Sequence, residues 1–324
     1  MTLPPAVRSH FPIATTLAVP SVIADAGEHA ARRFIEFFAA NIRNRNTRLA
    51  YAKAVGDFTT WCEGLGISLR DLEPVAIAAY VETLSATHSA PTVKQHLAAI
   101  RMLFDWLVVG QVMRMNPAAS VRGPRHVVKK GKTVVLTAGQ ARELLDSIDT
   151  STLIGLRDRA LIGVMVYSFA RVSAVLNMNV EDYWQNGKRW WLRLHEKGGK
   201  HHEVPAHHNA ELYLDAYVAA ASLAGQPKGP LFRSAVGRTG LLGGFRLSRK
   251  DALRMVKRRA AKLGLPARTC CHTFRATGIT AYLQNGGMIE KAQTIAAHES
   301  PRTTKLYDRT SDDITLDEIE RIII

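Results

Sequence analysis

The chain has few cysteines, and their spacing fits neither a disulfide framework nor a cysteine-based metal site. Only Cys62, Cys270 and Cys271 occur in 324 residues, so we expect reduced thiols in an intracellular protein. No apolar run approaches the roughly 20 residues that a membrane-spanning helix needs. Pro12 and Pro20 interrupt the apolar stretch near the amino terminus. We therefore expect no signal peptide and a cytoplasmic, nucleoid-associated protein.

Acidic residues are also scarce relative to basic ones. The sequence holds 43 Lys and Arg residues against 28 Asp and Glu residues, which gives a formal net charge of +15. This imbalance favours a polyanionic partner, of which nucleic acid is the commonest, although an ordinary basic enzyme can share it. The length and the 47% share of hydrophobic residues are sufficient for two domains with separate cores.

The first third of the chain carries only helical patterns. Residues 1–28 show no sustained periodicity of apolar residues, which predicts a flexible arm. The apolar residues of 29–118 recur at helical spacing and predict four helices. The predicted inward-facing residues of the second helix are Leu49, Val55, Phe58 and Trp61. Those of the fourth helix are Val93, Leu97, Ile100, Phe104 and Leu107. Lys94 and Arg101 should face outward, toward solvent or toward a nucleic-acid groove.

Residues 119–134 form a basic connector rich in proline and glycine. Its positive side chains would repel one another in water, but they could follow a phosphate backbone. We predict that this linker contacts nucleic acid through Arg122, Arg125, Lys129, Lys130 and Lys132.

Residues 135–324 predict a mainly helical α+β domain with one small antiparallel sheet. Thr137 and Gln140 fit a capping box before an amphipathic helix, and GLRDRALIGVMVYSF reads as a buried central helix. Asn186-Gly187 lies between two alternating stretches, which is a strong hairpin signal. The stretches GQPKGPLF and GRTGLLGGF predict glycine-rich loops.

The stretch SRKDALRMVKRRAAKLG predicts a basic helix capped by Ser248, with Leu253 and Val256 on its apolar face. Its cations either remain in solvent or enter the major groove of DNA, where Arg and Lys can read guanine edges. The predicted DNA-contacting residues are Arg249, Lys250, Arg254, Lys257 and Arg258.

Six polar residues in this domain carry a candidate chemistry: Arg171, Lys197, His272, Arg275, His298 and Tyr307. Taken alone, Arg171 would most simply pair with a carboxylate, and Lys197 would be an exposed turn lysine. Together, two guanidiniums can clamp a phosphodiester, imidazoles can manage a proton, and a phenol can attack phosphorus. A free phenol has a pKa of about 10, so its activation needs nearby cations and a base.

In order and spacing, these residues resemble the signature of the tyrosine recombinase, or phage integrase, family. That signature is an Arg, a Lys on a β-turn, H-x-x-R, a further His or Trp, and a Tyr shortly after it. EKGGKHHEVP is similar to the family's lysine hairpin, and HESPRTTKLYDR is similar to its nucleophile segment. The resemblance extends from about residue 40 to the carboxyl terminus. It implies a SAM-like helical DNA-clamping domain followed by the catalytic domain.

The resemblance also implies an activity and partners. The chain would be a Xer-like or mobile-element site-specific recombinase that acts on double-stranded DNA. Tyr307 would form a 3′-phosphotyrosyl bond, Lys197 would protonate the departing 5′ oxygen, and four protomers would exchange strands through a Holliday junction. The resemblance implies no metal, ATP or other cofactor. It is compatible with a requirement for a second recombinase or an accessory protein.

The chain departs from the family pattern at three positions. The first box commonly reads Arg-x-x-Glu, but residue 174 is Ala, and Glu181 or Asp182 are candidates to supply the missing carboxylate. Ala276 stands where many members have a second His, and Ala297 stands where Gly usually precedes the His. None of these changes removes a group that the chemistry requires.

Three other interpretations account for part of the sequence. His201 and His202 face opposite sides of a strand, so HHEVPAHH does not predict a metal site. A type IB topoisomerase uses similar chemistry without strand exchange, and a non-catalytic DNA-binding regulator would explain the charge alone. The reaction product distinguishes the three classes. A recombinase joins heterologous DNA, a topoisomerase only relaxes supercoils, and a regulator does neither.

Residues 310–324 form a tail with an apolar face too rich for a free terminus. Its apolar residues are Ile314, Leu316, Ile319, Ile322 and Ile323. The tail can fold back onto its own domain, or it can dock into a neighbouring protomer and so link a ring of four. The sequence leaves open the DNA target and the choice between integration and the resolution of cointegrates or chromosome dimers.

Overall fold

The computed structural model describes residues 18–127, 131–196, 201–308 and 319–320. The chain divides into two compact units, Met1–Val127 and Val128–Ile324. Each unit has its own hydrophobic core. Within the described ranges, no helix is both long enough and apolar enough to cross a membrane.

Helices are the only regular structure described in the first unit. The α-helices are α1 (Ser21–Ala24), α2 (Glu28–Glu36), α3 (Arg45–Gly64), α4 (Pro74–Thr87) and α5 (Ala90–Val109). A π-helical turn, Phe37–Asn41, continues α2, and a 3-10 turn spans Leu69–Asp71. Asn44 caps α3 by accepting hydrogen bonds from the backbone amides of Asn46 and Thr47.

The helical spacing predicted most of this core correctly. All five inward positions predicted on α5 are buried, as are Val55 and Phe58 on α3. Leu49 is a wrong prediction, because this residue near the start of α3 is 60% exposed. The prediction of a flexible arm over residues 1–28 is wrong at α1, because Ile23 in this helix is only 1% exposed. Residues 1–17 of that arm lie outside the described ranges.

The second unit combines helices with two small sheets. Its helices are α6 (Ala138–Asp146), α7 (Leu153–Tyr167), α8 (Val172–Leu176), α9 (His208–Ala220), α10 (Arg249–Lys262), α11 (Cys271–Gln284), α12 (Ile289–Ile295) and α13 (Pro301–Lys305). Its strands are β1 (Tyr183–Asn186), β2 (Arg189–His195), β3 (His201–Pro205), β4 (Arg233–Ala235) and β5 (Leu242–Arg246). A 3-10 turn spans Val180–Asp182.

The three-stranded sheet has the antiparallel order β1-β2-β3. The predicted hairpin is confirmed, but Asn186 pairs with Arg189, so the two turn residues are Gly187, with φ 60°, and Lys188. His195 pairs with His201 at the other end of β2. This pairing brings together the two residues that flank the segment containing Lys197.

The second sheet was not expected. Strands β4 and β5 pair antiparallel, with Arg233 opposite Arg246. The sequence had predicted a loop for GRTGLLGGF, because its glycines disfavour a regular strand. The prediction is wrong for residues 242–245, which form most of β5.

Helices α7 and α11 form the centre of the second unit. The predicted capping box of α6 and the burial of α7 are confirmed. Helix α11 approaches α7 closely at Gly278, where an added Cβ would lie 2.1 Å from the carbonyl oxygen of Val166. Only glycine permits this approach, which packs the helix that carries His272 and Arg275 against the buried helix.

Candidate active site

Tyr307 and His272 lie in direct contact. His272 is in the first turn of α11, and Tyr307 follows α13. The Tyr307 hydroxyl and Nε2 of His272 share a hydrogen bond of 2.6 Å. The hydroxyl of Thr280, farther along α11, donates to the backbone carbonyl of Tyr307 at 2.9 Å. One helix therefore holds both the phenol and the backbone of the candidate nucleophile.

His298 packs against the other side of the phenol. Its ring is parallel to that of Tyr307, with centroids 5.7 Å apart and planes 6° apart. Nδ1 of His298 shares a 2.8 Å hydrogen bond with the hydroxyl of Thr304. Burial, followed by the positive charges of Arg275 and Arg171, lowers the pKa of His298 to about 3.

The same causes keep His272 neutral. Burial first, and then Arg275 and Arg171, lower the pKa of His272 below its usual value of 6.5. Burial raises the pKa of Tyr307, while the Arg275 and Arg171 guanidiniums oppose that rise. The DNA-free site therefore holds a protonated phenol beside a neutral imidazole, which can accept its proton when the imidazole proton is on Nδ1.

Arg275 is buried to an unusual degree for an arginine. It is 1% exposed, and its Nη1 and Nη2 donate to the carbonyls of Phe169 and Ala296. Burial, together with Arg171, lowers its pKa to about 10, so it remains charged at neutral pH. Both carbonyls belong to turns with left-handed backbone, since Phe169 has φ 55° and Ala297 has φ 47°. The second value explains why glycine would suit position 297.

Arg171 lies at the N-cap of the short helix α8. Its Nη1 donates to Oε2 of Glu196 at 2.5 Å, which confirms that the arginine pairs with a carboxylate. The side chain of Arg171 is 37% exposed, and that of Glu196 is 5% exposed. Arg171 influences His272, His298 and Tyr307 electrostatically, so it belongs to the same cluster.

The partner of Arg171 is not one of the two carboxylates proposed from the sequence. Glu181 pairs with Lys228 at 3.0 Å, and Asp182 accepts a 2.8 Å hydrogen bond from His195. Sequence reasoning missed Glu196. The available signal was its position in HEKGGK, directly before the lysine turn.

Lys197 lies outside the described residues, as do residues 198–200. The structure therefore brings together five of the six candidate catalytic residues and says nothing of the sixth. The candidates in this cluster are Arg171, His272, Arg275, His298 and Tyr307.

The candidate DNA contacts in the first unit and the connector differ in exposure. Lys94, Arg122, Arg125 and Lys132 are exposed, whereas Lys129 and Lys130 lie outside the described residues. Arg101 is half-buried, and its guanidinium donates to the carbonyls of Ala118 and Val121. The expectation that Arg101 faces outward is therefore wrong, because its charge holds the chain that follows α5.

The basic helix α10 presents its cations to solvent. All five predicted contacts, Arg249, Lys250, Arg254, Lys257 and Arg258, are exposed. Ser248 caps the helix as predicted, since its hydroxyl accepts from the amide of Asp251. Leu253 is 40% exposed and does not belong to the apolar face. The buried residues of α10 are Ala252, Met255, Val256 and Ala260.

The histidines of β3 diverge, as their spacing predicts. The ring of His201 lies 4.9 Å from that of His195, whereas Nε2 of His202 donates to the carbonyl of Ile295 at 3.0 Å. In the part of the chain that the structure describes, no three His, Cys, Asp or Glu side chains are placed to hold a metal ion.

Comparisons with known proteins agree with this arrangement. The model of the phage integrase family matches residues 134–313, and that of the phage integrase N-terminal SAM-like domain matches residues 32–110. The chain is 31% identical over 235 residues to the tyrosine recombinase XerC of Chlamydia muridarum (strain MoPn / Nigg). That alignment covers 71% of this chain and 70% of the relative.

Solved structures share the fold at lower identity. The XerH site-specific recombinase in a pre-cleavage complex with its difH substrate has a TM-score of 0.66 and 16% identity, over 93% of this chain and 95% of that one. A lambda integrase tetramer bound to a Holliday junction has a TM-score of 0.67 and 18% identity, over 88% of this chain and 79% of that one. The chain therefore has a SAM-like helical domain before an α+β catalytic domain, and it belongs to the phage integrase family of tyrosine recombinases.

Proposed function

We propose that this protein is a site-specific DNA recombinase that cleaves and rejoins DNA through a phosphotyrosyl intermediate. The observation that carries the proposal is the contact between the Tyr307 hydroxyl and a neutral His272, beside two guanidiniums. The match to the phage integrase family supports it independently.

The chemistry follows from the charges in the cluster. The Tyr307 oxygen attacks phosphorus, its proton passes to the imidazole of His272, and the bond from phosphorus to the 5′ oxygen breaks. Arg171 and Arg275 stabilise the negative charge that develops on the non-bridging oxygens. A 5′-hydroxyl from the partner strand then attacks the 3′-phosphotyrosine and releases the phenol. Each phosphodiester lost is replaced by a bond of similar energy, so the exchange needs no ATP.

Covalent trapping tests this function. The protein is incubated with randomly nicked genomic DNA from its source organism, because a nick near the cleavage point lets the short product diffuse away. We expect covalent adducts enriched in one sequence, and we expect none with Tyr307→Phe, which should still bind DNA. Adducts that persist in the Phe variant would show that another residue attacks.

We assign the protonation of the 5′ leaving oxygen to Lys197. The variant Lys197→Ala should cleave the trapped sequence slowly, and a substrate with sulfur at the 5′ leaving position should restore its rate, because a thiolate leaves without a proton. Equal defects on the oxygen and sulfur substrates would remove Lys197 from this role.

The assembly is a proposal of the same kind. We propose that four protomers act on two duplexes, that residues 29–118 clamp DNA, and that the linker 119–134 follows its backbone into the catalytic domain, 135–324. The solved lambda integrase tetramer on a Holliday junction supports this number of protomers. We further propose that the tail 310–324 docks into the neighbouring protomer. Of this tail, the structure describes only residues 319–320.

A further inference from the structure

Glu196 is a buried carboxylate at the edge of the cluster. It directly follows β2, its side chain is 5% exposed, and it accepts the 2.5 Å hydrogen bond from Nη1 of Arg171. Among the described residues, Glu196 is the one acceptor of the Arg171 guanidinium. Burying a carboxylate is costly unless it is paired, so this position is occupied for a reason other than hydrophobic packing.

The other carboxylates in this region are not free to replace Glu196. Asp182 accepts hydrogen bonds from His195 and from the backbone amide of Asn179. Glu181 pairs with Lys228 on the surface. Residue 174, one helical turn after Arg171, is a fully packed alanine that is 1% exposed. The orientation of Arg171 therefore depends on Glu196.

The charge of Glu196 also reaches the second guanidinium. Arg171 lowers the pKa of Arg275, and Glu196 opposes that effect. Two guanidiniums and one carboxylate carry a net charge of +1, which one phosphodiester anion neutralises. Without Glu196, the two guanidiniums would repel each other more strongly whenever DNA is absent.

The ion pair also joins two elements of the second unit. Glu196 directly follows β2, and Arg171 caps the short helix α8. Nη1 of Arg171 faces the carboxylate, which leaves the remaining guanidinium donors for a phosphate.

We propose that Glu196 is a positioning residue, which holds the Arg171 guanidinium in place for the scissile phosphate. This inference rests on the proposed function. Glu196 itself contacts no reacting atom and acts through its neighbours.

The test is single-turnover cleavage of a nicked duplex that carries the trapped sequence. We expect Glu196→Gln to cleave about 10-fold more slowly and Glu196→Ala about 100-fold more slowly, since a misplaced catalytic group costs rates of this order. Binding of the same duplex should change less than about 3-fold, because rate and not affinity depends on the placement of Arg171. Glu203→Gln is the matched control. Glu203 pairs with Arg193 on the same sheet at 2.9 Å but is 46% exposed, and its loss should leave cleavage unchanged.

A double-mutant cycle separates positioning from general support of the fold. In an Arg171→Ala background, adding Glu196→Gln should slow cleavage no further, because the residue that it positions is absent. If the Gln substitution slows cleavage equally in both backgrounds, the inference is wrong. Glu196→Gln preserves shape, so its unfolding midpoint should stay near that of the parent even if the Ala variant folds poorly.

The two proposals fail separately. Absence of a Tyr307-dependent adduct in the unmodified protein would overturn the proposed function. Normal adduct formation by both the unmodified protein and Glu196→Gln would overturn the positioning role alone.

Discussion

The ring of His298 is parallel to that of Tyr307, with centroids 5.7 Å apart and planes 6° apart. His298 is 7% exposed, and so is Tyr307. Burial first, and then the positive charges of Arg275 and Arg171, disfavour a charged imidazole here and lower the pKa of His298. Protonation of His298 therefore opposes folding.

Stability should fall as the pH drops below about 6.5. The unfolded chain binds a proton at His298 below its usual pKa of 6.5, whereas the folded chain resists protonation until about 3. The contribution of neutral His298 to the free energy of unfolding is therefore present above about pH 6.5 and is lost toward about pH 3. Between about pH 6.5 and about pH 5 the loss amounts to about 2 kcal/mol. Denaturant unfolding at about pH 7 and about pH 5 measures it. His298→Gln should lose about 2 kcal/mol less than its parent, and equal losses would contradict the assignment.

Arg275 should matter for folding as well as for cleavage. Arg275→Ala removes charged donors from the carbonyls of Phe169 and Ala296 and leaves a buried gap, at a cost of about 3–5 kcal/mol. Denaturant unfolding of the DNA-free protein measures this loss. Arg258→Ala, on the exposed face of α10, is the control and should change stability by about 0.5 kcal/mol or less. An Arg275→Ala variant as stable as its parent would contradict the structure.

A buried ion triad should contribute strongly to the second unit. Asp158 is 0% exposed and accepts hydrogen bonds from Arg157 at 2.6 Å and from Arg259 at 2.5 Å. Asp158→Ala leaves two guanidiniums without their carboxylate and should cost about 3–5 kcal/mol. Thermal unfolding provides the measurement. Lys228→Ala removes an exposed ion pair and should shift stability by less than about 1 kcal/mol. Similar shifts in both variants would mean that the triad is not important.

Features set by neighbouring residues in the chain were predictable. The helical period identified the inward face of α5, the Thr137 capping box began α6, and Asn186-Gly187 placed the first hairpin. The order of Arg171, His272, Arg275, His298 and Tyr307 identified the cluster, because members of one family share a fold and therefore carry these residue types in the same order.

Features set by distant partners were not predictable. The helical pattern places Arg101 in solvent, but its acceptors, the carbonyls of Ala118 and Val121, lie in an irregular segment after the helix. Strand β5 is stabilised by pairing with β4 and not by its own glycine-rich sequence. Glu196 is 25 residues from Arg171, and no local pattern connects a strand end to a helix cap.

The exposed face of α10 should read DNA sequence. Arg254→Ala or Arg258→Ala should change which sequences bind most tightly, because Arg contacts guanine edges as well as phosphates. Binding to a library of duplexes measures this preference at several salt concentrations. Lys250→Ala is the comparison: if Lys250 contacts phosphate alone, its loss should weaken binding to all sequences alike and reduce the salt slope by about 1. A uniform loss for all three variants would restrict α10 to phosphate contacts.

Deleting residues 315–324 should separate binding from strand exchange. If the tail docks into a neighbour, the shortened protein should fold and bind a single site normally, but it should bind paired sites without cooperativity and should not complete strand exchange. Gel-shift titration and recombination assays measure these effects. Unfolding of the shortened monomer in DNA-free solution would show that the tail belongs to its own core.

The two carbonyl contacts of Arg275 have a consequence for how such sequences evolve. A descendant that abandoned recombination would still need this arginine, because the turns at Phe169 and Ala296 would otherwise lose their donors. The hydroxyl of Tyr307 contacts the side chain of His272 and not the backbone of a turn, so we expect such a descendant to lose it first. Among related genomes, we therefore expect the arginine to persist longer than the tyrosine where recombination is lost.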